Sequence, residues 1–193
     1  MKLKENHTSE DEFDTDEEMP IFPKVVQPLK CFKLFPEAHL PVLGSEWSAC
    51  FDLKASFRSG DVIKYYDERN TSKTTKATSA PIALYGGCRM LVPTGLIFDL
   101  HPNESMRIHP RSGLSLKHGI TVANCEGIVD ADYVQQTYVL LYNISSETFL
   151  IDDGMRIAQA ELIDIFEAME IREISIRPEQ KTSRNGGFGS TGT

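Results

Sequence analysis

From Gln27 onward, short apolar runs alternate with turn-forming residues. C-F-K-L-F at 31–35, M-L-V-P-T-G-L-I-F-D-L at 90–100 and Y-V-L-L-Y-N at 138–143 are each too short for a stable helix. All three are rich in β-branched or aromatic residues, as strands are. Pro and Gly recur every ten or so residues, and this spacing predicts an all-β sandwich or barrel. Pro93 cannot donate to a sheet ladder, so it predicts a strand start or an edge. Ala158–Ile174 runs against the pattern. Its residues favour a helix on propensity, with a strand–turn–strand as the alternative, since Ile171, Ile174 and Ile176 partly alternate. Residues 58–80 read as a surface excursion, with V-I-K-Y-Y a short strand and the Thr/Ser/Lys-rich half a loop. No internal repeat is visible.

Composition adds limits to this picture. The chain has 193 residues, enough for one domain with extensions. Residues 1–27 form an acidic N-terminal extension; its E-D-E-F-D-T-D-E-E stretch cannot bury enough apolar area to offset ordering, so it reads as disordered. A partner-binding role around Phe13 is its functional alternative. Residues 28–180 form the β domain, and 181–193 a mobile Gly-rich arm. A net charge of -8 argues against coating nucleic acid, which demands clustered Lys and Arg. It leaves room for a nucleotide, which needs only a few cations. Cys31, Cys50, Cys88 and Cys125 have no zinc-like spacing and read as reduced thiols. With no apolar leader and no run of ~20 apolar residues, the expectation is a soluble, cytoplasmic protein that binds neither membrane nor nucleic acid.

Four segments carry candidate chemistry. In P-R-S-G-L-S at 110–115, Arg111 offers a two-pronged cation, Ser112 a hydroxyl and Gly113 an open backbone, as a phosphate cradle needs. An ordinary turn is the bland alternative. In G-I-V-D-A-D-Y at 127–133, an extended chain puts Asp130 and Asp132 on one face, where one can act as general base. Tyr133 adds a flat surface for a sugar or base; an Asp-rich turn is the alternative. In D-G-M-R-I-A-Q at 153–159, Asp153–Gly154 is a hairpin turn signal. Arg156 and Gln159, polar within an apolar run, are structural bridges or ligand contacts. The fourth, R-N-G-G-F-G-S-T-G-T at 184–193, leaves glycine N–H groups unobstructed beside Arg184 and Phe188.

In this order the segments resemble the five motifs of the trimeric dUTP pyrophosphatase (dUTPase) family: S-A-C-F-D-L-K-A at 48–55, P-R-S-G-L-S, A-N-C-E-G-I-V-D-A-D-Y at 123–133, D-G-M-R-I-A-Q, and G-G-F-G-S-T-G at 186–192. The phrase L-V-P-T-G-L at 91–96 is similar as well. The resemblance covers roughly 28–193 without the 58–80 excursion. It implies a jelly-roll-like β-barrel, a homotrimer with active sites shared between subunits, and strands rather than a helix over 158–174.

It also implies hydrolysis of dUTP to dUMP and pyrophosphate, a reaction that limits uracil in DNA and supplies dUMP for dTMP synthesis. By its match, Asp130 would activate the water that attacks the α-phosphorus. Mg²⁺ would bridge the phosphates, with Asp52 holding its water shell. Arg111, Ser112, Gly113 and Gln159 would serve the phosphates. Asn124, with the backbone of the hairpin around Asn124 to Tyr133 that includes Gly127, would read uracil and leave cytosine unsatisfied. Tyr133 would lie under the deoxyribose. Phe188 would stack on the base when the arm closes, with Arg184, Gly187, Gly189 and Ser190 lining the phosphates.

The chain departs from the family pattern at three places. Cys50 stands where Gly is usual, V-Q-Q-T follows Tyr133 in place of R-G-E, and R-N-G-G-F-G is one residue shorter than usual, which moves Arg184 toward Phe188. The excursion and the acidic extension are further additions, and so elaborated a version fits a phage or other virus. Two other readings stand beside the hydrolase. One is a dCTP deaminase-like nucleotide enzyme. The other is a nucleotide-gated regulatory protein that engages a partner through the N-terminal tail or the 58–80 insertion.

Overall fold

The structure is a computed structural model and describes residues 28–165 and 171–179. Along the chain run β1 (Lys30–Lys33), β2 (Val42–Leu43), β3 (Phe51–Lys54), β4 (Val62–Tyr66), β5 (Ser72–Lys76), β6 (Ile82–Leu84), β7 (Arg89–Pro93) and β8 (Leu96–Asp99). They are followed by β9 (Glu104–His109), α1 (Ser112–His118), β10 (Ile120–Val122), β11 (Gly127–Val129), β12 (Tyr138–Asn143), β13 (Phe149–Ile151) and β14 (Arg156–Asp164). The expected all-β fold is present, with one short helix among the described residues.

Two five-stranded antiparallel sheets, β10-β12-β7-β4-β5 and β11-β9-β14-β3-β2, contribute to one core, and the pairs β1-β8 and β13-β6 complete it. Strand alternation supplies that core. Leu53, Met106, Ile108, Ala158 and Ala160 point inward from one sheet; Ile63, Met90, Val92, Val139 and Leu141 do so from the other. Their neighbours in sequence face out and build the site.

Several expectations change. Arg156–Asp164 is a strand, against helix propensity and with the family resemblance. β14 pairs on both edges, with β3 and β9, and its small Ala158 and Ala160 fill a buried face. Two ladders and that burial outweigh propensity differences of about a few tenths of a kcal/mol per residue. Residues 166–170, the middle of the ambiguous segment, lie outside the described residues; 171–179 form no strand or helix.

The 58–80 excursion is a hairpin. Its Thr/Ser/Lys half is β5, paired with β4 along its full length. β4 joins β7 at Met90 and Arg89, so the hairpin extends a core sheet. Asp67 organises the tip: its Oδ1 accepts the N–H of Arg69 and Thr71, and its Oδ2 meets Lys73 Nζ at 2.8 Å. Asx-turn chemistry of this kind makes a polar segment a good strand connector.

Pro93 ends β7 rather than starting it. β4 pairs with β7 only at Met90 and Arg89, so no ladder partner awaits an N–H at Pro93 on that side. Asp153–Gly154 does form a turn, closed by Met155 N–H to the Asp152 carbonyl at 3.1 Å, with Gly154 at φ 79. It is not a hairpin, because β13 pairs with β6 whereas β14 pairs with β3 and β9.

Candidate active site

The first-motif and fourth-motif strands meet at Asp52. A register shift between Arg156 and Ala158 in the β3–β14 ladder sets Arg156 beside Asp52. The Asp52 carboxylate lies between two guanidiniums: Arg111 Nε donates to Oδ1 at 2.9 Å and Arg156 Nη1 to Oδ2 at 3.1 Å. Arg111 Nη1 also donates to the main-chain oxygen of Arg156 at 3.1 Å. Gln159, directly across from Asp52, donates Nε2 to the Pro110 carbonyl at 3.1 Å and so holds the segment that carries Arg111. One carboxylate and two guanidiniums leave a net positive, preformed patch suited to phosphate.

Ser112 and Gly113 are not a turn but the first residues of α1. Pro110 before it and Gly119 after it (φ 64) bound the helix. First-turn N–H groups have no partner within a helix, and Gly113 faces open space. The helix start therefore offers its donors beside Arg111.

Asn124, Gly127 and Tyr133 line a second feature, a cleft of ≈ 370 Å³ with Ile108, Val122, Thr137 and Tyr138 in its walls. The expected base-reading hairpin is a crossover: β10 pairs with β12, and β11 pairs with β9 of the other sheet. Its tight turn places Cys125 at φ 64 and joins Cys125 N–H to the Val122 carbonyl at 3.0 Å. The cleft sits where the chain passes between sheets. Glycine fits closely there, since a Cβ would stand 3.1 Å from Ile108 Cβ and crowd it.

Asp130 and Asp132 do not share an extended face. β11 ends at Val129, and Asp130 and Asp132 carbonyls accept the N–H of Tyr133 and Val134 in a turn. Asp130 is exposed and makes no side-chain hydrogen bond or ion pair among the described residues. It lines a shallow depression with Glu104, Ala131 and Ile165. Val129 pairs with Met106, so Asp130 lies near the start of β9 and Arg111 beyond its end. At ~3.3 Å per residue the two are roughly 15–20 Å apart within one protomer.

The chain is similar to proteins already known. The family model described as dUTPase matches residues 75–192. The chain belongs to the dUTPase family. It is 35% identical over 178 residues to the deoxyuridine 5'-triphosphate nucleotidohydrolase of Bartonella quintana, covering 87% of this chain and 84% of that protein. Among solved structures, it resembles a mutant dUTPase of Staphylococcus bacteriophage 80alpha with dUpNHpp (TM-score 0.63, 17% identity, 87% of this chain and 100% of that one). A mutant dUTPase of phage phi11 of S. aureus, described with a structural Mg(II) ion, matches with TM-score 0.59 at 14% identity over 78% of this chain and 98% of that one.

Within this dUTPase-family fold, Asp52, Arg111 and Gln159 come together, as do Asn124, Gly127 and Tyr133; Asp130 stands apart. Arg184, Gly187, Phe188, Gly189 and Ser190 lie outside the described residues, as do the N-terminal 27. Arg156 is the cluster member that the sequence left open between bridge and ligand contact; it bridges Asp52. Asp153 is structural, accepting Phe57 N–H and pairing with His39 Nε2, each at 3.0 Å. At the first departure from the family pattern, Cys50 adopts no left-handed backbone, so glycine is not required there. Burial first, then the charges of Glu161 and Asp52, push its thiol pKa up and keep it protonated.

No group of three or more His, Cys, Asp or Glu suited to a metal occurs among the described residues. Those residues offer no cage for a divalent cation. Each Asp52 oxygen retains a lone pair, which fits an outer-sphere contact to a metal-bound water. No helix among the described residues is long and apolar enough to cross a membrane.

Proposed function

We propose that this chain is a dUTP diphosphatase, hydrolysing dUTP to dUMP and pyrophosphate. The observation that carries the reading is the path of β9. Its Ile108 lines the cleft with Asn124 and Gly127, and three residues later Arg111 lies in the Asp52–Arg156 patch. A base site and a phosphate site thus flank one strand, in a chain of the dUTPase family.

Asn124 and the backbone of the crossover read the uracil edge, and Tyr133 supports the deoxyribose. Arg111, the N–H groups at Ser112 and Gly113, and Gln159 through Pro110 hold the phosphates. Asp130 accepts the proton of the attacking water, a role suited to an exposed carboxylate with no competing cation. Asp52 would hold the water shell of a Mg²⁺ ion, which would supply neutralisation of phosphate charge.

A general base must lie within a hydrogen bond, or one water, of the reaction it serves. The separation of Asp130 from Arg111 along β9 therefore favours a homotrimer in which Asp130 of one protomer serves phosphate held by another. Residues 181–193 close over the nucleotide through Phe188, with Arg184 and the backbone at Gly187, Gly189 and Ser190 on the phosphates. The organisation that follows is an extension over 1–27, a β domain over 28–180 and a closing arm.

Pyrophosphate release from dUTP with Mg²⁺, beside dCTP, dTTP and UTP, tests the reading. Selective release from dUTP is expected. Ammonia release from dCTP, or no turnover of any nucleotide by folded protein, would overturn it.

A further inference from the structure

One polar group in the cleft is left without a use by the assignments above. Thr137 lines the cleft and is 1% exposed, and its Oγ1 has no hydrogen-bond partner among the described residues. Its main chain is already committed. Thr137 N–H donates to the Leu96 carbonyl at 2.8 Å. Its own carbonyl accepts twice from Thr94, at 3.2 Å from N–H and 2.7 Å from Oγ1. The Thr137 hydroxyl finds no partner among the surrounding described residues, and leaving a buried hydroxyl unpaired is unfavourable. Valine would fill the same volume without that cost. Ser105, the other unpartnered buried hydroxyl among the described residues, does not line this cleft.

We propose that the Thr137 hydroxyl is a substrate-binding group that hydrogen-bonds the polar edge of the pyrimidine, directly or through one water. The inference rests on the cleft being the base site. A pyrimidine brings carbonyl and N–H groups into a pocket whose walls are otherwise largely apolar. A hydroxyl both donates and accepts, so Thr137 can pair with whichever edge atom Asn124 leaves free. Because the side chain is already buried, little further ordering opposes the bond.

The test compares wild type, Thr137→Val, Thr137→Ala and Thr137→Ser. The probes are dUMP and 2-deoxyribose 5-phosphate, which lacks the base, and thermal unfolding is followed without ligand. Thr137→Val is expected to weaken dUMP binding about 3- to 15-fold, the loss of one neutral hydrogen bond. It should leave deoxyribose 5-phosphate unchanged and melt no lower than wild type. Thr137→Ser should bind dUMP within about twofold of wild type. Thr137→Ala, a second hydroxyl-free variant, should follow valine on dUMP.

Unchanged dUMP affinity in Thr137→Val, in a protein whose wild type hydrolyses dUTP, overturns this inference alone. So does equal weakening of both probes with a lowered melting temperature, which marks a structural hydroxyl. Wild type that neither binds dUMP nor hydrolyses dUTP overturns the function and this inference together.

Discussion

The patch around Asp52 and the cleft around Asn124 are built on opposite plans. In the patch each charged group has a partner although the sum is positive: Asp52 sits between Arg111 and Arg156, and Gln159 fastens the Pro110 carbonyl. In the cleft and the turn after it, Asn124 and Asp130 are exposed without side-chain partners among the described residues, and the Thr137 hydroxyl is buried without one. The patch is held in shape before ligand arrives, so binding there reorganises little. The cleft keeps its polar groups free, so a ligand that matches them gains and one that does not leaves them unsatisfied. On the proposed function, affinity for phosphate and choice of base fall to separate regions.

The largest test of this contrast is at Asp130. Asp130→Asn removes a proton acceptor and no contact that holds the fold. Turnover of dUTP should fall by roughly 10²–10⁴-fold while dUMP affinity stays within a few-fold, by steady-state kinetics and calorimetry. A comparable loss of binding would deny Asp130 its place as base.

The patch should respond in both activity and stability. Arg111 is 24% exposed and makes two contacts; Arg156 is 55% exposed. Arg111→Ala should lower kcat/KM about 10- to 100-fold and stability by about 1–2 kcal/mol, since Asp52 then loses its better-buried partner. Arg156→Ala should cost less than about 1 kcal/mol, as for a mostly exposed ion pair. Equal denaturant midpoints for the two variants would show that burial does not rank them.

In the cleft, Tyr133→Ala should reduce the preference for dUTP over UTP about 10-fold, read as a ratio of kcat/KM values, without altering the melting temperature by more than a few degrees. The Tyr133 hydroxyl only donates to the Gln136 carbonyl at 3.0 Å on the surface, so the fold depends little on it.

The smallest effect belongs to the β4–β5 hairpin. Lys73 first, then the Thr71 and Arg69 N–H groups, hold the Asp67 carboxyl at about 2, below its ordinary range. A carboxylate with a lowered folded value stabilises above its unfolded value near about 3.9 and loses that stabilisation as pH falls through its folded one. Amide protection factors in β4 and β5, corrected for the intrinsic exchange rate at each pH, should hold from about pH 7 to about 4 and fall toward about pH 2, ahead of those in the core strands. Asp67→Asn should remove that pH dependence.

Much of this was legible in one dimension. Alternating short apolar runs implied an all-β core because a strand buries every second residue whatever its partner. The P-R-S-G-L-S and G-I-V-D-A-D-Y segments stood out as candidates because few side chains can hold phosphate or take a proton. Pro110 and Gly119 even bracketed α1, although the segment read as a turn. What misled was local propensity. Ala158, Ala160, Glu161 and Leu162 favour a helix, and Ser72–Lys76 favours a loop, until ladders from distant strands are added.

The remaining features depend on strands far apart in the chain. Asp52 and Arg156 stand 104 positions apart and meet only because β3 and β14 pair with a bulge between them. Asn124 and Thr137 face one cleft because β10 and β11 join different sheets. The distance of Asp130 from Arg111 follows from the register of β11 on β9. Residue types and their periodicity, which act locally, were enough to name the fold class and to nominate candidate groups. Register and sheet membership decided which groups meet, because backbone ladders form between strands whose separation no local pattern encodes.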